Sequence, residues 1–207
     1  MTQKMLIAVG AAALALVATS QGNLVVNGDF EAGNTGFLTD FTLMPGNIVP
    51  ADTYDVVTDP SSVHPSADSY GDKTTGSGFM MAVNGTDGSV PALVWGQTVS
   101  VDPDATYELD LWTSTWFSRG ELTVTINGVD QGDTFFTPVD RAVWELTERV
   151  WASGGDTSAT IEIFNTSMIA FGNDFAIDDI SFTLVPEPAV TSLLAMAGLG
   201  LMRRRYA

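Results

Sequence analysis

The stretch that decides the fold is "TYELDLWTSTW", residues 106–116. Apolar and polar residues alternate through it. That is the period of a half-buried strand, because successive side chains point to opposite sides of the pleat. Tyr107, Leu109 and Leu111 point one way, and Glu108, Asp110, Trp112, Ser114 and Trp116 the other. The first set belongs in a core. The second combines acids, a hydroxyl and two indoles, and the question is what such a face does.

The same pattern recurs outward from this strand at intervals of ten or so residues, separated by Gly, Asn, Asp and Pro, which is the signature of an all-β domain. Strands are expected at 23–27, 54–58, 78–84, 92–101, 121–127, 133–136, 143–152, 159–165 and 174–184. Leu122, Val124 and Ile126 share a face opposite Glu121, Thr123 and Thr125, and Ile161 and Ile163 oppose Thr160, Glu162 and Phe164. Asn127-Gly128 is a strong two-residue hairpin signal. Residues 50–78, rich in Pro, Ser, Asp and Gly, read mostly as surface loop. No run between residues 21 and 185 has helical periodicity, so one β-sandwich is the economical architecture.

The two ends differ from this body. Lys4, an apolar run from Met5 to Val17 and then Ala18, Thr19 and Ser20 have the order of a secretory signal peptide, with cleavage expected after Ser20. The far end reads "VPEPAVTSLLAMAGLGLMRRRYA", residues 185–207. Its apolar run, Ala189 to Met202, would span about 21 Å as a helix, less than the roughly 30 Å of a hydrocarbon core. Arg203, Arg204 and Arg205 resist translocation. The expected organisation is therefore a signal peptide at 1–20, a sandwich at 21–185 and a tail at 186–207.

The body keeps Lys73, Arg119, Arg141 and Arg149 against 24 acids, a formal charge of −20. Phosphate recognition needs clustered Lys or Arg, so nucleic acid is excluded as a partner, and anionic lipid is disfavoured. The chain has no cysteine. An exported domain of this kind must be held by its own core, with or without a metal.

The order Pro186-Glu187-Pro188, short apolar helix, then arginine cluster resembles the PEP-CTERM sorting signal. The resemblance implies export in a Gram-negative bacterium, transient membrane insertion, and processing near the triplet by an exosortase. It also implies residence in the envelope, at the cell surface or in an extracellular polysaccharide matrix. A short permanent tail anchor is the alternative. The body resembles galactose-binding-like jelly rolls, the fold of many carbohydrate-binding modules, through "LVVNGDFEAG" (24–33), "GSGFMMAVNG" (76–85), "VWGQTVSVDPDATYELDLWTS" (94–114) and "NDFAIDDISF" (173–182). Where relatives often carry "PG" before the Tyr strand, this chain has "PDAT".

That second resemblance implies a structural Ca²⁺ where the N-terminal turn meets the final strand, with Asp29, Glu31 and Asp178 or Asp179 as ligands. Calcium needs six to eight oxygens. The same acids also suit turn hydrogen bonds without metal.

For sugar, Trp112 and Trp116 lie about 13 Å apart along one face, with Glu108, Asp110, Glu121 or Asn127 as hydroxyl partners; the alternative is that the indoles are partly buried beneath loops. Trp95, Trp144 and Trp151 are assigned to core or rim. For catalysis there is no Cys nucleophile, no paired-histidine metal motif, no Gly-x-Ser-x-Gly elbow and no phosphate loop. The sole histidine, His64, has no partner that sequence identifies. The expectation is a non-enzyme: a glycan-associated surface protein, or a purely structural one, ahead of a glycan-acting enzyme.

Overall fold

The computed structural model describes residues 22–88, 91–167, 169 and 172–186. Residues 21–185 form one compact unit. Its strands are β1 (Thr42–Leu43), β2 (Thr53–Val57), β3 (Met80–Asn84), β4 (Ala92–Ser100), β5 (Thr106–Thr115), β6 (Glu121–Ile126), β7 (Val129–Asp130), β8 (Phe135–Phe136), β9 (Trp144–Ala152), β10 (Ser158–Asn165) and β11 (Asp174–Leu184). One sheet runs β1-β2-β3-β11-β5-β9, and the other β4-β10-β6-β7 with β8 also on β6. The one parallel pair among them is β1 with β2. Among the described residues a single 3₁₀ turn, Pro60–Ser62, interrupts the pattern. The architecture is the expected all-β sandwich of jelly-roll type.

Alternation places the core as expected. Tyr107, Leu109 and Leu111 from β5 meet Leu122, Val124 and Ile126 from β6 and Ile161 and Ile163 from β10. Tyr107 stacks on Phe182 of β11 with centroids 5.0 Å apart. Trp95 is fully buried, whereas Trp144 and Trp151 are partly buried at the rim. Asn127 and Gly128 both take positive φ (53° and 73°) at the β6–β7 hairpin, as a type I′ turn requires. Asp104, in "PDAT", takes φ 55°. It adopts without glycine the left-handed conformation that glycine takes most readily.

Two expectations need correcting, and the alternatives left open for Trp116 are resolved. Residues 23–27 form no strand, because asparagine side chains take over the ladder. Asn23 Oδ1 accepts from Val25 N (3.0 Å) and Phe182 N (2.9 Å), and its Nδ2 donates to Ile180 O (3.1 Å). Asn27, at φ 57°, folds the chain back by binding Gly33 O and Thr35 O.

Residues 50–78 are more than surface loop. The strand expected at 54–58 forms as β2, and the remainder buries Val63 and packs the partly buried Tyr70 over the outer face of the six-stranded sheet. Beneath this cover a second apolar cluster unites Ile48, Val63, Met80, Ala82, Trp116 and Ala176.

Trp116 therefore does not stand on an open face. It has no exposed area, and its indole N–H donates to Phe175 O (2.8 Å). The segment is stitched down by Tyr70 Oη with Ser114 Oγ, Trp144 Nε1 to Gly71 O (3.1 Å) and the Arg141–Asp68 ion pair (3.0 Å).

The final strand β11 breaks register between Asp178 and Ser181, with Asp179 at φ 46°. This bulge leaves room for Gly28, whose backbone O accepts from Ile180 N (2.9 Å). A Cβ on Gly28 would lie 2.0 Å from Ile180 O, so this approach needs glycine. The strand continues to Val185, whose N–H donates to Thr106 O (2.8 Å), and Pro186 is exposed. The expected signal helix at 1–20 and the tail residues Glu187, Pro188, Arg203, Arg204 and Arg205 lie outside the described residues.

Trp116→Ala should cost about 3–5 kcal/mol of stability through the cavity it leaves, read from urea melts. Trp112→Ala, from the open part of the same face, should cost no more than about 1 kcal/mol.

Candidate functional site

The covering segment stops short of the whole outer face. Where it ends, β5 and the β11 bulge form the floor of a groove and the N-terminal residues 23–29 form its wall, enclosing about 350 Å³. Asp110, Trp112, Asp179 and Ser181 line the floor, and Asp29 stands on the wall. The pairing Asp110↔Ser181 and Trp112↔Asp178 sets this arrangement.

Two candidates that sequence assigned to different roles, Asp110 for sugar and Asp29 for metal, thus line one groove. Trp112 is half-buried, with the Lys73 ammonium 4.0 Å from its ring centroid. Its other intended partner, Trp116, is absent from the site because it is packed under the cover. Glu121 and Asn127 lie on the other sheet, and Asn127 is occupied by Asp156, Ser158 and Thr160.

Polar atoms in the groove divide sharply. Asn23 and Asn27 spend both amide atoms on the protein's own backbone. Asp110 does not: its Oδ1 is buried without a hydrogen-bond partner, and Oδ2 has only a long contact from Ser181 Oγ (3.4 Å). Burial, and then the charge of Glu148 on the neighbouring strand, push the Asp110 carboxyl up. Glu108, Asp110 and Glu148 bring ligating oxygens within 4.8 Å of one another, the single group of three such acids among the described residues.

The acids assigned to calcium sit differently from that triad. Glu31, Asp178 and Asp179 all reach the loop 72–79. Glu31 Oε1 accepts from Phe79 N (2.7 Å), Asp178 Oδ2 from Lys73 N (2.8 Å), and Asp179 Oδ1 from Thr74 Oγ1 (2.6 Å). Asp72 joins them, its carboxylate held by the N–H groups of Thr74, Thr75 and Gly78. Asp29 is the member that does not, since it faces the groove.

The fit to a hard cation is good in one respect and incomplete in another. Asp178 has no exposed area and pairs with no basic group among the described residues. Burial, with Asp179 and Asp72 adding like charge against two N–H bonds, pushes its carboxyl up to about 7. Yet no three of these carboxylates converge within 4.8 Å. The acids are gathered without forming a closed cage.

Sequence reasoning missed Asp72, Lys73 and Asp174. Asp174 was legible, because Asp174, Ala176 and Asp178 alternate with the core residues Phe175 and Ile177 and so share the outer face. Asp72 and Lys73 belong to a segment without periodicity, where only tertiary packing decides position.

No family model matches the chain, and neither does any curated protein. Solved structures are similar. A Stig cyclase, Fisc, from Fischerella sp. TAU, in complex with a 3H-indole compound, aligns over 82% of this chain and 100% of its own at 14% identity, TM-score 0.57. A cyclase from the same organism, in complex with 4-(1H-indol-3-yl)butan-2-one, aligns over 83% and 100% at 15% identity, TM-score 0.56. The carbohydrate-binding module TmCBM61, in complex with β-1,4-galactotriose, aligns over 81% and 100% at 19% identity, TM-score 0.49. At these identities the likeness to the cyclases shows the shared fold alone.

The raised carboxyls give a pH dependence of defined sign. Asp178 and Asp174 both stand at about 7 when folded, against an ordinary 3.8. Their protonated forms therefore favour the folded state below pH 4, and that contribution is lost as pH rises through 7. In metal-free buffer, Asp178→Asn should flatten the fall in melting temperature between pH 4 and 7.

Proposed function

We propose that the protein is an exported, non-catalytic component of the cell surface or extracellular matrix that holds a neutral polysaccharide in the groove beside Trp112. In this reading the segment from Pro186, Glu187 and Pro188 to Arg203, Arg204 and Arg205 inserts transiently in the membrane and is processed by an exosortase. The observation that carries the binding role is the placement, in one groove, of an indole and the Asp110 carboxyl, whose single hydrogen bond within the protein is the long one from Ser181 Oγ (3.4 Å).

Sugar hydroxyls donate to carboxylates, and the C–H faces of the ring pack on aromatic carbon. Asp29, Asp110 and Asp179 repel anionic polymers, which leaves neutral glycans as the ligand class. Lys73 already covers part of the indole, so the saccharide meets the exposed remainder of Trp112 together with Asp110 and Ser181.

A second reading, a structural envelope protein without sugar binding, is favoured by the full internal bonding of Asn23 and Asn27. Affinity gels separate the two. Neutral envelope polysaccharides should retard the wild-type protein, and Trp112→Ala should weaken retention roughly 5- to 10-fold, the order of one aromatic contact of about 1–1.5 kcal/mol. No retardation by any such polymer supports the structural reading.

The structural Ca²⁺ implied by the jelly-roll resemblance belongs to the same proposal. Glu31, Asp72, Asp178 and Asp179 would hold it, and the ion would supply the positive charge that the buried Asp178 lacks. At 100 times its dissociation constant calcium should stabilise the fold by about 2.7 kcal/mol, a rise of roughly 5–10 °C in melting temperature. Asp178→Asn should abolish the rise, and an unchanged melting temperature in wild type removes calcium from the account.

A further inference from the structure

A second cavity, of about 240 Å³, opens where β3 and β5 end and β11 begins. Asp174 lines it while only 5% exposed. The nearby cation, Arg141, is committed elsewhere. It pairs with Asp68 (3.0 Å), donates to Ser66 O and Trp116 O (both 2.9 Å) and lies over the Phe117 ring.

His64, the sole histidine of the chain, lines the same cavity with its ring 4.8 Å from that of Trp116. Its Nδ1 accepts from Ser66 N (3.2 Å), so the neutral ring carries its proton on Nε2. Burial lowers the His64 pKa, which keeps the ring uncharged at neutral pH. Asn84 gives its amide N–H groups to Ile48 O and Val49 O, which turns its carbonyl oxygen into the available atom. Val49, Ala51 and Phe117 supply apolar wall.

We infer that this cavity binds a small organic ammonium group, such as the amino substituent of an amino sugar, with Asp174 as its counter-ion and the Asn84 carbonyl as a further acceptor. An uncharged ligand would leave the buried carboxyl as it stands, pushed up to about 7 by burial with only the charge of Arg141 in opposition. A cation ionises it. The other charged or titratable groups here are His64, which is neutral, and Arg141, which Asp68 already balances. The acidic body also raises the local concentration of cations. The site is separate from the groove beside Trp112 and does not depend on what that groove binds.

Calorimetry on the full chain at pH 7 tests the inference with glucosamine, ethylamine and N-acetylglucosamine as probes. Glucosamine should bind with release of up to about half a proton per site, seen by comparing buffers of different ionisation enthalpy. N-acetylglucosamine should bind at least 10-fold more weakly. Ethylamine binding as well shows that the ammonium group suffices, and binding by glucosamine alone assigns the site to amino sugars. Either result supports the inference.

The single imidazole signal of His64 should shift on titration, which locates the ligand without any substitution. Asp174→Asn should lower amine affinity at least 10-fold. Equal affinity for the N-acetylated probe, an unmoved His64 signal, failure of both amines to bind, or unchanged affinity in folded Asp174→Asn overturns it.

Discussion

The outer face of the six-stranded sheet is half covered, and the indole of Trp116 fastens the cover. A strand of alternating residues normally gives one face to the core and one to water. Here β5 gives its second face to two environments in turn, a buried one at Trp116 and Ser114 and an open one at Trp112 and Asp110. The change happens over a single strand because Ile48, Val63, Ala67 and Tyr70, from the segments flanking β2, pack only over the end of the sheet that presents Met80, Ala82, Trp116 and Ala176. The candidate sites lie at the margins of that cover. The groove begins where it stops, the loop 72–79 that gathers the acids is its last turn, and the cavity at Asp174 and His64 is the gap at its other end.

The two-sheet fold was legible in the sequence because alternation is a local property. Tyr107, Leu109, Leu111, Leu122, Val124 and Ile126 declare their face within a few residues, and Asn127-Gly128 declares a turn by its backbone freedom. For Trp116 the sequence left two readings open, an exposed sugar-binding indole or one buried beneath a loop. Alternation assigns it to the face of Trp112, which is correct, but whether that face is wet depends on residues between Ile48 and Tyr70, far earlier in the chain, where the cover carries no periodic signal. Residues 23–27 mislead. Their apolar run looks like a strand, yet the asparagines at both ends bond the backbone themselves, a competition that β-propensity does not register.

Of the candidate site, sequence put Asp110 and Trp112 on one face of β5 and assigned Asp179 to a separate metal site, whereas the structure brings all three to the lining of one groove. Asp29 was expected at the metal and stands in the groove, beside Asn27 and Gly28. Lys73 could not be foreseen as the cation over Trp112, because nothing in a Pro-, Ser- and Gly-rich run fixes where a single lysine falls.

The acidity of the chain takes on a different meaning once the hydrogen bonds are counted by kind. Many of the carboxylates close loops by accepting backbone N–H groups: Asp55 from Gly46 and Val56, Asp59 from Ser61, Asp40 from Leu93, Asp72 from three residues of its own loop. A sandwich whose connections are long needs such caps where ladders end. Although burial raises Asp72, the N–H bonds of Thr75 and Gly78 carry its carboxyl below the ordinary value, and it stays ionised at no need of a cation. Asp110, Asp174 and Asp178 differ in kind. Burial dominates in all three: Asp110 and Asp174 line recesses, and Asp178 lies buried beneath the loop 72–79, accepting the Lys73 N–H. A large negative charge alone therefore says little about ligands in this protein. The informative acids are the few whose ionisation the fold resists, because a bound hydroxyl, metal ion or ammonium group is what would make that ionisation favourable.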